Sequence, residues 1–329
     1  MASTIIIRLE DVVSEDVKWL WEPYIPAGKL TIIRGNPGDG KTMLLLMLIS
    51  KLSTGTPLPG EPEGTKRKPC ACIYQTAEDG LADTVKPRLT ANGADCTLVH
   101  AVDESRIALS FSDDRIEEAI ERTGAKLFVL DPLQAYLGHG VDMYRANEVR
   151  PQFHNLMNIA DRTGCAIVLI EHMNKIKGLK AINKGLGSMD ITGAARSVLL
   201  LAKPKPKEPY VYLAPIKNNL AALGETLVFT VEEGRMYYEG TSELSADDLL
   251  AAGKPEFNDT KLSQAEDTLE RLLADGKRES AKNIFEIFKG VGISKRTVNE
   301  AKKNLGIKSA NSANGWQWYL PEDGNEDEE

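Results

Sequence analysis

The 329-residue sequence predicts an α/β protein, a mainly parallel central sheet flanked by helices with a small helical unit appended. Three observations carry this expectation. From Leu30 to about Gly240, short β-rich runs alternate with longer helix-compatible segments. Several of the runs are almost wholly apolar, as strands covered on both faces must be. The first run leads straight into a glycine-rich turn and a lysine, in "TIIRGNPGDGKTMLLL".

Taken in order, "LTIIR" is the first core strand, and the turn after it opens a leucine-rich helix. "ACIYQ", "KLFVLD", "CAIVLIE" and "SVLLLA" supply further buried strands. "YVYLAPI", "ETLVFTV" and "GRMYYEG" lack long helices between them and predict an antiparallel extension, closing a core over residues 1–241. Residues 242–261 turn polar and small, with Gly253 and Pro255, and read as a linker holding one short helix. In residues 262–321, Leu262, Ala265, Leu269 and Leu272 recur at helical spacing. Ile284, Ile287 and Phe288 do the same, as do Val298, Ala301 and Leu305. Three helices followed by the aromatic hairpin of "IKSANSANGWQWYLPE" resemble a winged helix. Its recognition helix would lie in "GISKRTVNEAKKNLG", with Ser294 as N-cap and Gly306 just past the end. Trp316 and Trp318, two apart, share a strand face and are expected to pack the hairpin. Residues 322–329 form an acidic tail.

Composition excludes some classes. Hydrophobic residues at 42% and charged residues at 27% are ordinary for a globular protein, and no apolar run approaches the roughly 20 residues of a membrane span. The N-terminus lacks a basic region and a long apolar core, so a cytoplasmic protein is expected. Cys70, Cys72, Cys96 and Cys165 show no CxxC pair and read as reduced thiols without metal. A net charge of −8 argues against general coating of nucleic acid.

The chemistry centres on the turn. Gly35, Asn36, Pro37, Gly38, Asp39, Gly40, Lys41 and Thr42 fit G-x-x-x-x-G-K-[ST], with a strand before and a helix after. In that context backbone N–H groups cradle the phosphates of ATP, Lys41 reaches the β- and γ-phosphates, and Thr42 ligates Mg²⁺. Asp131, ending "KLFVLD", is the candidate second Mg²⁺ ligand, the other reading being an Asp-Pro turn. Pro132 follows it, so the group that activates water must come from elsewhere. Glu78, after the strand "ACIYQ", is the candidate base, with helix capping as the alternative and Asp79 available for that role. His172 ends a further strand at the same edge, placed either to sense the γ-phosphate or as a surface histidine.

Over most of Asp11 to Gly240 the chain resembles the RecA-like and DnaB-like hexameric ATPases, and among them the RepA-type replicative helicases of plasmids, phages and prophages. The resemblance rests on "WLWEPYIPAGKLTIIRGNPGDGKT", "YQTAED", "LFVLDPLQAYLG", "LIEHMNK", "GSMDITGAARSVLLL" and "KNNLA" in that order. It implies a RecA-like P-loop core, a water-activating Glu78 and a phosphate-sensing His172. It also implies that Arg196 is an arginine finger reaching ATP on the next subunit, the alternative being an intramolecular salt bridge. Lys217 stands where relatives bind ATP with a lysine, whereas Asn219 replaces the arginine two residues on.

Helicases of this group hold single-stranded DNA in channel loops, and "MNKIKGLKAINKGLGSMD" fits one. From Met173 to Met189, Lys175, Lys177, Lys180 and Lys184 occur among glycines and without an acid, although a solvated loop would look the same. Tyr144 and Arg145 are a second candidate. In the C-terminal unit Lys295, Arg296, Lys302 and Lys303 give a basic face suited to duplex DNA, with protein docking as the alternative. The sequence therefore predicts a Mg²⁺-dependent, DNA-stimulated ATPase forming a homo-oligomer, expected to be a hexamer. Its rivals are an ATP-switched DNA-binding assembly factor and a small-molecule kinase.

Overall fold

The computed structural model describes residues 6–138, 140–173, 181–185, 189–204, 209–252, 261–274, 277–291, 293–312 and 315–321. The chain divides into two units, Met1–Gly253 and Lys254–Glu329. The first opens with β1 (Trp19–Trp21) and β2 (Ile25–Pro26), a small antiparallel ribbon. There follow β3 (Leu30–Gly35), α1 (Lys41–Thr54), β4 (Cys72–Thr76), α2 (Lys86–Ala91), β5 (Val99–His100) and α3 (Arg115–Thr123). Next come β6 (Leu127–Asp131), α4 (Ala146–Thr163), β7 (Ala166–His172), α5 (Met189–Ala194) and β8 (Ser197–Ala202). The unit ends with β9 (Tyr210–Asn218), β10 (Thr226–Glu232), β11 (Arg235–Ser242) and α6 (Ala246–Ala252).

Nine strands form one sheet in the order β11-β10-β9-β8-β3-β7-β6-β4-β5. Pairing is parallel from β8 to β5, and antiparallel from β8 through β9 and β10 to β11. The expected parallel core and antiparallel extension are both present. Pleating assigns the side chains to two faces. Ile33, Val129, Val168 and Ile170 pack with Leu44, Leu45 and Leu48 of α1. Leu30, Ile32, Phe128, Ile167 and Leu169 pack on the other face with Ile120 of α3 and Phe153 and Leu156 of α4. Burial on both sides is why these strands read as continuous apolar runs.

The short helix of the 242–261 segment is α6. Its Ala246 and Leu249 are buried with Met173, Ala181, Leu200 and Ala202, so the first unit continues to Gly253. The ribbon β1–β2 and the edge strand β5 were not visible in the sequence because two or three residues carry no periodicity.

The second unit contains α7 (Lys261–Leu272), β12 (Glu279–Ser280), α8 (Ala281–Gly290), α9 (Lys295–Asn304), β13 (Lys308–Ser312) and β14 (Gly315–Tyr319). Its sheet order is β12-β14-β13. Leu269, Ile284, Phe288, Val298, Ala301 and Trp318 are buried in one cluster. The Ser294 side chain accepts from the Thr297 N–H and caps α9 as expected, and Gly306 follows with φ +66°. The two tryptophans part company. Trp318 is buried edge-on to Phe285, whereas Trp316 is 60% exposed. Only Trp318 and Gln317 pair with β12, so Trp316, nearer the turn, lies beyond that cover. Among the described residues no helix is long and apolar enough to cross a membrane.

Candidate active site

Four adjacent parallel strands end together. Cross-strand register sets Gly35 of β3 beside His172 of β7, and Thr76 of β4 beside Asp131 of β6. β7 lies between β3 and β6, so the glycine-rich loop, His172, Asp131 and the Glu78 segment share the carboxyl edge of the sheet. Ligands of open α/β sheets bind at this edge.

The loop runs from the end of β3 to the first turn of α1. Gly38 and Gly40 adopt φ +85° and +95°, a region glycine enters freely. At Gly35 the need is steric, because a Cβ would stand 2.5 Å from the Leu201 carbonyl oxygen. The Asp39 carboxylate accepts from the Asn36 N–H at 2.7 Å and closes the loop on itself. Lys41 donates to the carbonyls of Gly35 and Asn36 at 3.0 and 2.8 Å. Burial pushes the Lys41 ammonium pKa down, and the carboxylates of Asp39, Asp131 and Glu78 oppose that shift. A cation so placed favours an incoming polyphosphate.

Asp131 and Thr42 meet, with the Thr42 hydroxyl 3.2 Å from Asp131 Oδ2. Tyr74 of β4, which the sequence did not single out, donates its hydroxyl to the same oxygen at 2.7 Å. Burial holds the Asp131 carboxyl above the usual range, the Tyr74 and Thr42 hydroxyls pull it back, and the Glu78 carboxylate adds to the rise. A buried carboxylate beside a hydroxyl is a hard oxygen donor set that fits Mg²⁺ and would gain from its charge. No cluster of three or more His, Cys, Asp or Glu ligands occurs among the described residues. A Mg²⁺ site completed by phosphate oxygens would not need such a cluster.

Glu78 caps no helix. It is 63% exposed with Oε1 3.8 Å from His172 Nε2, while Asp79 turns to Arg88 at 3.6 Å. The Thr76 hydroxyl accepts from both backbone N–H groups, and the Ala77 N–H donates to the Asp131 carbonyl, so the Glu78 segment is tied to the end of β6. His172 Nδ1 is buried with no hydrogen-bond partner among the described residues.

Arg196 and Lys217 lie elsewhere. The Arg196 N–H donates to the Leu30 carbonyl, at the opposite end of β3 from the loop. Five residue steps of strand separate them, about 17 Å. Arg196 is exposed and makes no ion pair among the described residues, so the salt-bridge alternative is not seen. Lys217, expected to bind ATP, instead donates to the carbonyls of Thr192 and Ala195 at 2.9 and 2.8 Å, capping α5. The chain does not bring either residue to its own loop.

Lys175, Lys177 and Lys180 fall outside the described residues, and Lys184 is half-buried. Arg145 is already paired with Asp142 and Glu148, while Tyr144 is exposed. In the second unit Lys295, Arg296 and Lys303 are exposed. Lys302 lies 4.4 Å over the Trp318 ring and donates to the Ser309 hydroxyl, which withdraws it from the basic face.

Fold and site together define a P-loop ATPase domain with a RecA-like sheet. Residues 3–178 match the AAA_25 family, an AAA domain, and the chain belongs to that family. Over 214 residues it is 24% identical to the DNA repair protein RadA of Halalkalibacterium halodurans, covering 64% of this chain and 40% of that relative. The chain thus spans about two fifths of the curated relative it matches. The ATPase domain of G40P superposes with a TM-score of 0.50 at 12% identity, covering 65% of this chain and 85% of that domain. A KaiC-like protein from the hyperthermophilic archaeon Pyrococcus horikoshii OT3 gives 0.46 at 17% identity, covering 65% and 91%.

Proposed function

We propose that the chain is a Mg²⁺-dependent, DNA-stimulated ATPase of the RepA-like replicative helicase type. It would work as a homo-oligomeric ring, in the replication or recombination of a mobile element. The observation that carries the reading is the convergence of Lys41, Thr42, Asp131, Glu78 and His172 at one sheet edge, with Arg196 exposed at the far end of β3. RadA by name acts in DNA repair, which supports DNA as the partner.

In this mechanism the loop N–H groups and Lys41 hold the ATP phosphates. Thr42 and Asp131 would hold Mg²⁺, which supplies charge neutralisation across the β- and γ-phosphates. Glu78, its side chain 63% exposed, orients the attacking water and takes its proton. His172, in reach of Glu78, carries the state of the γ-phosphate site into β7. Arg196 stabilises transition-state charge on a neighbouring subunit, because its own loop is a strand length away, and Lys217 helps by fixing α5. Lys175, Lys177, Lys180 and Lys184 track single-stranded DNA, and Lys295, Arg296 and Lys303 engage duplex.

The test is ATP hydrolysis by wild type, Glu78→Gln and Arg196→Ala, with and without single-stranded DNA, beside the oligomeric mass in ATP and Mg²⁺. Stimulation of wild type by DNA, loss of turnover by about 100-fold or more in both variants with ATP binding kept, and partial recovery on mixing them are expected. Normal turnover by monomeric Arg196→Ala without any DNA effect would sink the reading. Strand separation on a forked substrate distinguishes the motor from an assembly factor that never unwinds.

A further inference from the structure

One charged pair lies inside the sheet and takes no part in the chemistry above. Arg34 of β3 and Glu171 of β7 are cross-strand neighbours, 0% and 1% exposed, with Nε donating to Glu171 Oε2 at 2.7 Å. Each stands one residue before a group of the site: Gly35 follows Arg34, and His172 follows Glu171. Pleating sends Arg34 and Glu171 to the face of Ile32 and Leu169, away from α1.

On that face the guanidinium fans out. Nη1 donates to the carbonyls of Ala181 and Ile182 at 3.3 and 3.0 Å, where the chain returns from the lysine-bearing stretch. Nη2 donates to the Thr192 hydroxyl of α5 at 2.8 Å. Gly185 lies flat against the pair, since a Cβ there would come within 2.6 Å of Nη2 and 2.7 Å of a Glu171 oxygen. Gly185 also bridges Met173, the residue after His172. One side chain therefore joins the strand of the phosphate loop, the strand of His172, the returning end of the candidate DNA segment, and the helix that leads to Arg196.

Stability alone does not account for this arrangement. A buried ion pair is often no more stabilising than apolar side chains of the same volume, because both charges lose their hydration. What the fork provides, and an apolar filler cannot, is a fixed register among four separate segments.

Resting on the ATPase reading above, we infer that Arg34 is a positioning residue, which with Glu171 and Gly185 couples the nucleotide state at Gly35 and His172 to segment 181–196. It touches neither ATP nor DNA. Changes at the phosphate loop reach the candidate DNA segment and Arg196 through this fork, and DNA binding acts back on hydrolysis by the same route.

The test compares wild type with Arg34→Met/Glu171→Met, which fills the volume without charge, and with Gly185→Ala, which leaves both charges but presses on the fork. Three readouts are taken: thermal melting, kcat and KM for ATP with and without a single-stranded oligonucleotide, and hydrogen exchange of residues 181–196 with and without a non-hydrolysable ATP analogue. The double variant is expected to melt near wild type and to keep its basal KM. Its stimulation by DNA falls by about 5-fold or more. In wild type the analogue changes exchange across 181–196, and in both variants that response is lost.

Stimulation and exchange response unchanged in a folded double variant overturn the inference. So does a wild-type segment 181–196 that ignores the analogue. If wild type shows the exchange response but no DNA stimulation, the DNA-motor reading fails while the coupling stands. If the double variant does not fold, Gly185→Ala decides by the same two readouts.

Discussion

Burial raises the Asp131 carboxyl above the ordinary carboxylate range, and the hydroxyls of Tyr74 and Thr42 only partly draw it back. A carboxyl whose folded pKa exceeds its unfolded value of 3.8 binds more protons when folded, so its contribution to stability falls as pH rises through that window. At neutral pH the metal-free fold therefore carries a penalty at Asp131. Asp131→Asn is expected to stabilise the nucleotide-free protein by about 1 kcal/mol, or roughly 2–4 °C in Tm, while hydrolysis falls by about 100-fold or more. The gain should shrink as pH falls toward the unfolded value of 3.8, because the folded wild-type carboxyl, raised above it, takes up its proton over that range. Melting curves at pH 4 and pH 7 check the sign, and equal gains at both would refute it. At Gly35 the limit is space. Gly35→Ala meets the Leu201 carbonyl oxygen and should lose about 1–3 kcal/mol of stability together with ATP affinity, read by calorimetry and nucleotide titration.

Two short helices depend on their ends. α5 has six residues and relies on the Lys217 ammonium for its last carbonyls. Lys217→Met should cost about 1–2 kcal/mol locally and raise hydrogen exchange across 189–196. ATP affinity at the loop should be unaffected, and a large loss of it would mean that Lys217 also contacts nucleotide. Helix α9 starts with Lys295 and Arg296, charges that oppose its dipole, so the Ser294 cap carries more of the burden. Ser294→Ala is expected to lower the stability of the second unit by about 1 kcal/mol, seen as a shift of its own melting transition. These ends were legible to different degrees. Ser294 announces itself by residue type and position, whereas nothing near Lys217 in sequence indicates that it reaches back to carbonyls 22 to 25 residues earlier.

Across the whole chain, each unit has its own hydrophobic cluster. A chain ending at Gly253 should fold and keep basal ATP turnover, while duplex DNA binding, assayed by fluorescence anisotropy at two salt concentrations, should drop. Unchanged duplex binding would remove Lys295, Arg296 and Lys303 from the DNA reading, and failure to fold would show that the two units depend on each other.

By itself the sequence determined the longer core strands, the helices of the second unit and the phosphate loop. Apolar runs bounded by turn residues specify buried strands, and G-x-x-x-x-G-K-T specifies a cradle, because both depend on residues within about one turn or strand of each other. Which strands become neighbours is set by pairing between residues 39 to 166 positions apart, and that decided the site. The order β8-β3-β7-β6-β4 sets His172 beside Gly35 and Asp131 beside Thr76. It brings Tyr74 to Asp131, holds Arg196 and Lys217 away from their own loop, and buries Arg34 against Glu171. A trace of that last pair was present in "TIIRG" and "LIEH", where opposite charges interrupt two apolar strands one residue before the site. Only the tertiary structure, by placing those strands side by side, turned the two interruptions into one contact.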